Sequence, residues 1–409
     1  MMDTPPNKKI RLHDLSKQTL FLPDELIAEI LSHLSVKNIL KFKCLSKSWK
    51  TFISDPTFVQ MHLKKSSQNP HLAVIYRDIS SLVNVIPVPV DLLLKNLCIT
   101  MDGNDLYRLS SHCMVVGSCN GLICLLYHTE RTSPTAKHFK IWFRFWNPAT
   151  RIRSKIVGSL RYSIPSDDID MLTFLCRFKF TFGYESLSKT YKVVAFCVNK
   201  NEGEVKVFSL GNNCWRDIQS FPLNLLPPRR RRGPCCLNDG VHFRGTINWL
   251  AMYNQPIIHV DQFVIVSLDL STESYKQLQL PLGFNEVPFF QPVLRVLMDG
   301  LCFSHDSKRT EFVLWHMKEY GVQESWTQLL KISYQNLHIR YINDTFELVC
   351  LYVNDDMVIF AKQNSNQIIL YNLKDKTTVK RSVNRTRWYR SMDYAESLVS
   401  VCWLRVSFS

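Results

Sequence analysis

The sequence predicts a mainly β protein that begins with a small α-helical module. Between residues 21 and 63, apolar side chains recur at three- and four-residue steps, which is the spacing of an amphipathic helix. From about residue 70 onward this spacing gives way to short alternating runs, which are typical of half-buried strands. With 409 residues and 46% apolar composition, the chain has material for a large core and a length that suggests two domains.

The helical module divides into three predicted helices. Pro23 suits the first turn of the first helix, Ser35 is a cap for the second, and Ser46 begins the third. Asp55-Pro56 then marks a fresh start. The module is close to the size, roughly 40 residues, below which a domain rarely forms a stable core alone. Another protein or the rest of the chain must therefore cover part of its apolar surface. We favour a partner protein; the alternative is an ordinary helical subdomain packed on its own chain.

These residues resemble an F-box, the module by which substrate receptors dock onto the Skp-type adaptor of Skp–cullin–F-box ubiquitin ligases. The motifs are L-P-D-E-L, E-I-L-S-x-L, V-K-x-I-L-K-F-K-C-L-S-K-S-W-K and I-S-D-P-x-F. Ser35 replaces the usual proline, and Leu45-Ser46 replaces the commoner Val-Cys. The resemblance implies adaptor-binding roles for nine residues: Leu22, Pro23, Leu26, Ile30, Leu31, Leu34, Leu40, Cys44 and Trp49.

The rest of the chain carries a repeated β pattern that predicts a propeller of about six blades. A strand ends in an apolar residue, a short polar turn follows, and an aromatic or basic pair opens the next strand. Five such tags lie roughly 45 to 60 residues apart, which is the period of a four-stranded blade. Blades of this kind close into a ring that protects their edges. We expect residues 71–109 and a last strand at 397–404 to complete the sixth blade and close the ring.

This region resembles the F-box-associated, Kelch-like domain of a large plant family that includes the pollen S-locus F-box proteins. The motifs are VVGSCNGLICL at 115–125, WNPATR at 146–151, FTFGYESLSKTYKVV at 180–194, VHFRGTINWLA at 241–251 and FVIVSLDLSTESYKQLQLP at 263–281. The resemblance implies that the propeller recognises a protein substrate.

The predicted organisation is a polar tail at 1–19, an F-box at 20–64 and a propeller at 70–409. Thirteen scattered cysteines without a CxxC pair indicate reduced thiols and no disulfide framework. The most apolar stretch, at 82–94, contains two prolines and an aspartate, so we expect no membrane span. With no secretory signal recognisable, we expect a cytoplasmic and/or nuclear protein.

The net charge of +15 is spread over the chain, with one dense run at Arg229, Arg230, Arg231 and Arg232. Prolines and a glycine flank this run, so it is predicted to be a loop. The run could contact an acidic substrate, although a solvated surface loop is the preferred interpretation. The charge also leaves an alternative function open: a basic propeller that binds RNA or phosphorylated ligands, with the helices as a structural cap. We consider nucleic acid the less favoured partner.

Catalytic signatures are missing from the sequence. It contains no GxG, GxxxxGK, GxSxG or HExxH motif. The neighbouring cysteines Cys113, Cys119 and Cys124 are interpreted as core residues. His316 and Glu319 form an isolated HxxE pattern, which is not interpreted as a metal site. We therefore predict no catalytic residues, no metal and no cofactor. The predicted function is a non-catalytic substrate receptor that binds a Skp-type adaptor, and through it a cullin scaffold.

Overall fold

The computed structural model of the protein describes residues 22–77, 82–95, 98–99, 106–110, 112–133, 135–165, 175, 178–198, 203–220, 225–226, 240–253, 259–339, 348–362, 365–383 and 388–401. Within these residues, a cluster of N-terminal helices is followed by six sheets, whose strands pair antiparallel except at the edge of one sheet. Across the same described residues, no helix combines the length and the apolar character needed to cross a membrane.

Four helices form the N-terminal module: α1 Asp24–Ser32, α2 Val36–Lys43, α3 Lys47–Ser54 and α4 Pro56–Ser66. The fourth helix extends the three-helix prediction and begins at the expected fresh start. There the Asp55 carboxylate accepts the backbone N–H of Thr57 at 2.8 Å and caps α4. Ser46 caps α3 as predicted, because its hydroxyl accepts the backbone N–H of Trp49 at 3.2 Å.

The six sheets are the blades of a propeller, which confirms the predicted fold. Blade 1 contains β1 His71–Arg77, β2 Val83–Pro89 and β4 Tyr107–Arg108, with the short helix α5 Val90–Lys95 after β2. Blade 2 contains β5 Cys113–Cys119, β6 Leu122–Thr132, β7 Ala136–Asn147, β8 Ile152–Arg153 and β9 Val157–Pro165. Blade 3 contains β10 Phe178–Glu185, β11 Thr190–Val198, β12 Gly203–Ser209 and β13 Cys214–Asp217.

The second half of the ring repeats this arrangement. Blade 4 contains β14 Leu225–Leu226, β15 Gly240–Phe243, β16 Thr246–Tyr253, β17 Phe263–Asp269 and β18 Tyr275–Leu278. Blade 5 contains β19 Val293–Leu297, β20 Gly300–Ser307, β21 Glu311–Met317 and β22 Trp326–Ser333. Blade 6 contains β23 Leu348–Val353, β24 Met357–Lys362, β25 Gln367–Asn372 and β26 Thr378–Val383, with β3 Cys98–Ile99 at its edge, and β27 Trp388–Tyr394 returns to blade 1.

The innermost strands of the blades form a closed ring. Each of β5, β10, β15, β19, β23 and β27 contacts the next, and β27 contacts β5 again. The ring therefore contains six blades, as the sequence pattern predicted.

The ring is closed by a different strand from the one predicted. Trp388–Tyr394 pairs antiparallel with β1, with His71 opposite Tyr394, whereas residues 395–400 form no strand. The carbonyls of Ser397 and Val399 instead accept hydrogen bonds from the Asn147 side chain. These two carbonyls therefore bond to a side chain and not to a neighbouring strand. A second link joins the ends of the ring, because Cys98–Ile99 pairs in parallel with β26.

The two faces of the propeller carry different connections, because successive turns of an antiparallel sheet lie at opposite ends. The helix-side face carries the turns at Asn120–Gly121 and Arg244–Gly245, together with the junction of α4 with β1. The distal face carries the turn at Lys308–Arg309 and the blade-to-blade connection 279–292. The helices are thus attached opposite the longer connections between blades.

Candidate functional site

An exposed apolar face lies on the first helix. Leu22, Leu26 and Ile30 are 54%, 51% and 57% exposed, although all three are large aliphatic side chains. Leu26 and Ile30 are one helical turn apart and therefore lie on one side of α1, and Leu22 lies two residues before the helix begins. Scattered apolar side chains are common on protein surfaces, but a continuous row is typical of a binding face.

A buried scaffold holds this face outward. Leu31, on the other side of α1, is only 4% exposed and packs into the core that the helices share with blades 2 and 3. The His62 imidazole of α4 donates a 3.0 Å hydrogen bond to the Leu34 carbonyl, which joins α4 to the end of α1. Burial lowers the pKa of His62, so the ring is neutral and suits this single donation.

The segment that follows α1 is basic. The segment from Val36 to Ser54 contains five lysines and no acidic residue: Lys37, Lys41, Lys43, Lys47 and Lys50. Burial and the nearby Lys50 lower the pKa of Lys43. Acidic groups at the rim of a partner that covers the helices would therefore favour its binding.

The chain segment 395–401, called the tail segment, joins the helices to blade 2. Asn147 is completely buried, and its Nδ2 donates to the carbonyls of Ser397 and Val399, each at 2.9 Å. Gly121 has a φ of +78°, and a Cβ there would lie 2.3 Å from the Ser397 hydroxyl oxygen. The Glu396 carboxylate accepts the backbone N–H of Val36 at 3.3 Å, at the first residue of α2. The tail segment therefore fastens the helices to the propeller.

A cavity of about 750 Å³ occupies the centre of the ring and is lined by the innermost strands. Arg295 of blade 5 and Asp393 of blade 1 form an ion pair at 3.0 Å beside this cavity. Among the residues that the structure describes, no group of His, Cys, Asp and Glu is arranged to hold a metal ion. In particular, His316 and Glu319 gain no further ligand within that part of the chain.

A buried cysteine and a half-buried histidine also line the cavity. His242 Nδ1 lies 3.6 Å from Cys119 Sγ, and its Nε2 donates to the Tyr184 carbonyl at 3.0 Å. Burial raises the pKa of Cys119 to about 12 and lowers that of His242. The thiol therefore stays protonated at neutral pH, and the nucleophilic thiolate is scarcely populated. Cys113 and Cys124 are likewise buried free thiols, which confirms their predicted place in the core.

Comparison with known proteins agrees with both halves of this architecture. The family model for the F-box domain matches residues 20–60, and the model for the F-box associated beta propeller domain matches residues 79–401. The chain belongs to the F-box proteins with an F-box-associated propeller.

Similar proteins occur in Arabidopsis thaliana. An F-box/kelch-repeat protein is 26% identical over 370 residues, which cover 86% of this chain and 87% of that protein. The F-box protein CPR1 is 26% identical over 404 residues, which cover 93% of this chain and 88% of that protein. Among solved structures, TolB from Acinetobacter baumannii aligns with a TM-score of 0.43 and 8% identity, covering 83% of this chain and 73% of TolB.

The structure separates the nine residues predicted to bind the adaptor into three groups by exposure. Five are exposed, namely Leu22, Pro23, Leu26, Ile30 and Cys44; three are half-buried, namely Leu34, Leu40 and Trp49; and Leu31 is buried. The half-buried residues pack against the shared core of the F-box and propeller. Direct contact with a partner is therefore available mainly to the exposed group, whereas Leu31 lies in the core.

Leu45, which replaces the commoner valine of the F-box pattern, is 67% exposed. Helix α2 ends at Lys43, so Leu45 falls outside the helical spacing that would have buried it. Ser35 precedes α2 as predicted, yet its side chain forms no capping bond. The predicted substrate contact at Arg229, Arg230, Arg231 and Arg232 lies outside the described residues.

Proposed function

We propose that this protein is the substrate-recognition subunit of a Skp–cullin–F-box ubiquitin ligase. Its F-box binds a Skp-type adaptor, and through it a cullin scaffold, while its propeller binds a protein substrate. The observation that carries the proposal is a set of three exposed aliphatic side chains, one just before α1 and two on it, within a segment that matches the F-box family.

The size of this face is consistent with a useful binding contribution. Full burial of a leucine or isoleucine contributes about 1.5–3 kcal/mol, and each of the three side chains retains about half of its exposure. Covering Leu22, Leu26 and Ile30 would therefore contribute about 3 kcal/mol. That free energy corresponds to about a hundredfold in the dissociation constant.

The proposed role requires no catalytic group in this chain. A receptor that holds its substrate near a charged ubiquitin-conjugating enzyme raises the effective concentration of substrate lysines at the thioester. The buried, protonated state of Cys119 is consistent with a non-catalytic role. We also propose that the protein acts in the cytoplasm and/or nucleus, which imaging of a fluorescent fusion would test.

Co-expression with a Skp-type adaptor tests the docking proposal. The variant Leu26→Asp/Ile30→Asp should lose adaptor co-purification and adaptor-dependent ubiquitination, because two charges would lie on the apolar face. Both positions are exposed, so the chain should still fold. Leu282→Asp is the matched control, because Leu282 is 78% exposed on the propeller. Leu31→Asp is a poorer test, since a buried charge would unfold the F-box itself.

The same protein preparations separate the docking proposal from the alternative of a basic propeller that binds RNA or phosphorylated ligands. Binding to RNA should weaken steeply with salt, because counterions are released from the phosphates. Adaptor binding through the aliphatic row should depend less on salt. Tight, strongly salt-dependent RNA binding without any adaptor binding would favour the alternative.

A further inference from the structure

One blade-to-blade connection on the distal face is firmly anchored. Residues 279–292 join β18 to β19, and Phe284 in their centre is buried. Its ring lies 5.6 Å from that of Phe263 and 5.1 Å from that of Phe303, in edge-to-face contacts with blades 4 and 5. The connection is therefore part of the inter-blade core and is held in one position.

Hydrogen bonds attach the end of this connection to the neighbouring turn of blade 5. The Asp306 carboxylate accepts the backbone N–H of Phe290 at 2.8 Å and that of Phe289 at 3.3 Å. The Glu286 carboxylate accepts the backbone N–H of Lys308 at 3.1 Å. The exposed residues around these bonds are thus ordered before any partner arrives, which reduces the entropic cost of binding.

The turn itself presents two cations. Lys308 and Arg309 have φ values of +50° and +58°, as in the tight turns that join β-hairpins. The Arg309 guanidinium lies 3.5 Å from the centroid of the Phe289 ring, in a cation–π contact. Within the described part of the chain, no carboxylate pairs with the side chain of Arg309 or Lys308.

We propose that Lys308, Arg309, Val287 and Pro288 form a binding surface for an acidic, apolar-containing segment of the protein substrate. An arginine stacked on an aromatic ring keeps the N–H groups at its edge free for a carboxylate. Lys308 would attract a second carboxylate, and an apolar substrate side chain would cover Val287, which is 40% exposed. This inference rests on the proposed function and names the class of substrate.

Charge and position both favour this occupant. The chain carries a formal charge of +15, so an acidic segment is attracted at long range. The nearby carboxylates of Glu286 and Asp306 already accept backbone N–H groups, whereas the side chains of Lys308 and Arg309 are exposed. The surface also lies on the distal face, away from the F-box, where a bound substrate would not compete with the adaptor.

Fluorescence anisotropy with a labelled peptide tests the inference on the full-length chain. The probe is the peptide Glu-Asp-Glu-Leu-Phe-Asp-Glu, and its amide counterpart has Gln and Asn in place of every Glu and Asp. We expect the amide peptide to bind about tenfold or more weakly, because it lacks charge-assisted hydrogen bonds. Arg309→Ala should weaken binding of the acidic peptide about tenfold. Arg309→Lys should give an intermediate loss, since lysine keeps the charge without the planar fork.

The chain offers a matched control for Arg309. Arg244 also lies in a tight turn, with a φ of +46° and its guanidinium 5.0 Å from the Phe243 ring, but on the helix-side face. Arg244→Ala should bind the acidic peptide like the unmodified chain.

Three results would overturn the inference: equal binding by Arg309→Ala, equal binding of the amide peptide, or binding only when the peptide is phosphorylated. Thermal unfolding of each variant should match the unmodified chain, since both arginines are exposed. The peptide assay contains no adaptor, so its result is independent of F-box docking. The chain with Leu26→Asp/Ile30→Asp should still bind the peptide.

Discussion

Replacement of Asn147 by alanine should release the tail segment from blade 2. The Asn147 side chain is fully buried at the end of β7, and its amide nitrogen donates to two tail carbonyls at 2.9 Å. Its amide oxygen accepts the backbone N–H of Thr150 at 3.2 Å. Alanine can replace none of these bonds, and the adjacent Ser397 is itself completely buried.

The size of the effect follows from the groups left without partners. A buried carbonyl that loses its donor costs about 1–3 kcal/mol, whereas the partly exposed Thr150 N–H can bond to water. The two carbonyls together give a loss of about 3 kcal/mol for docking of the tail segment. Local opening of the segment should then become more frequent by about two orders of magnitude.

Hydrogen exchange measured by mass spectrometry is the direct assay. Backbone amides of residues 395–401 should exchange much faster in Asn147→Ala, and exchange at the start of α2 should rise because Glu396 no longer stays beside Val36. Asn248→Ala is the control, since Asn248 is equally buried, and its partners lie in blade 4 and at Tyr320 of blade 5, away from the tail segment. Unchanged exchange of the tail segment in Asn147→Ala would refute the reasoning.

Two further predictions concern titratable side chains. In the native protein a thiol reagent at pH 8 should modify the exposed Cys44 and leave the buried Cys119 unreacted, because burial raises the pKa of Cys119 to about 12. Rapid modification of Cys119, located by peptide mapping, would contradict this prediction. Acidification from pH 7 to pH 5.5 should lower the free energy of unfolding. Burial depresses the pKa of His62, His242 and His305 below the usual 6.5. The unfolded chain therefore binds more protons than the folded chain in this range. Denaturant titrations at the two pH values would check this result, and a gain in stability on acidification would contradict it.

Local patterns in the sequence were sufficient to predict the helices and the blades. Ser46 and Asp55 cap helices where the sequence placed helix starts, because capping depends only on neighbouring residues. The blade number followed from a pattern repeated along the chain. The closing strand could not be predicted, since both Trp388–Tyr394 and the following residues are rich in apolar side chains. Only pairing with the distant strand β1 decides between them.

The candidate sites were predictable only in part, for the same reason. Leu26 and Leu31 belong to one helical stripe, and the sequence does not reveal that packing of the rest of the chain covers only Leu31. Asn147 was recognised within the WNPATR motif, but the carbonyls that it holds lie about 250 residues further along the chain. The turn at Lys308–Arg309 was missed, because its significance depends on the Phe289 ring beneath Arg309.

Isothermal titration of a purified Skp-type adaptor into the full-length protein tests the central claim most directly. We predict binding that Leu26→Asp/Ile30→Asp weakens by about a hundredfold or more and that Leu282→Asp leaves unchanged. Binding of equal strength by the double variant, in a chain that remains folded, would contradict the account.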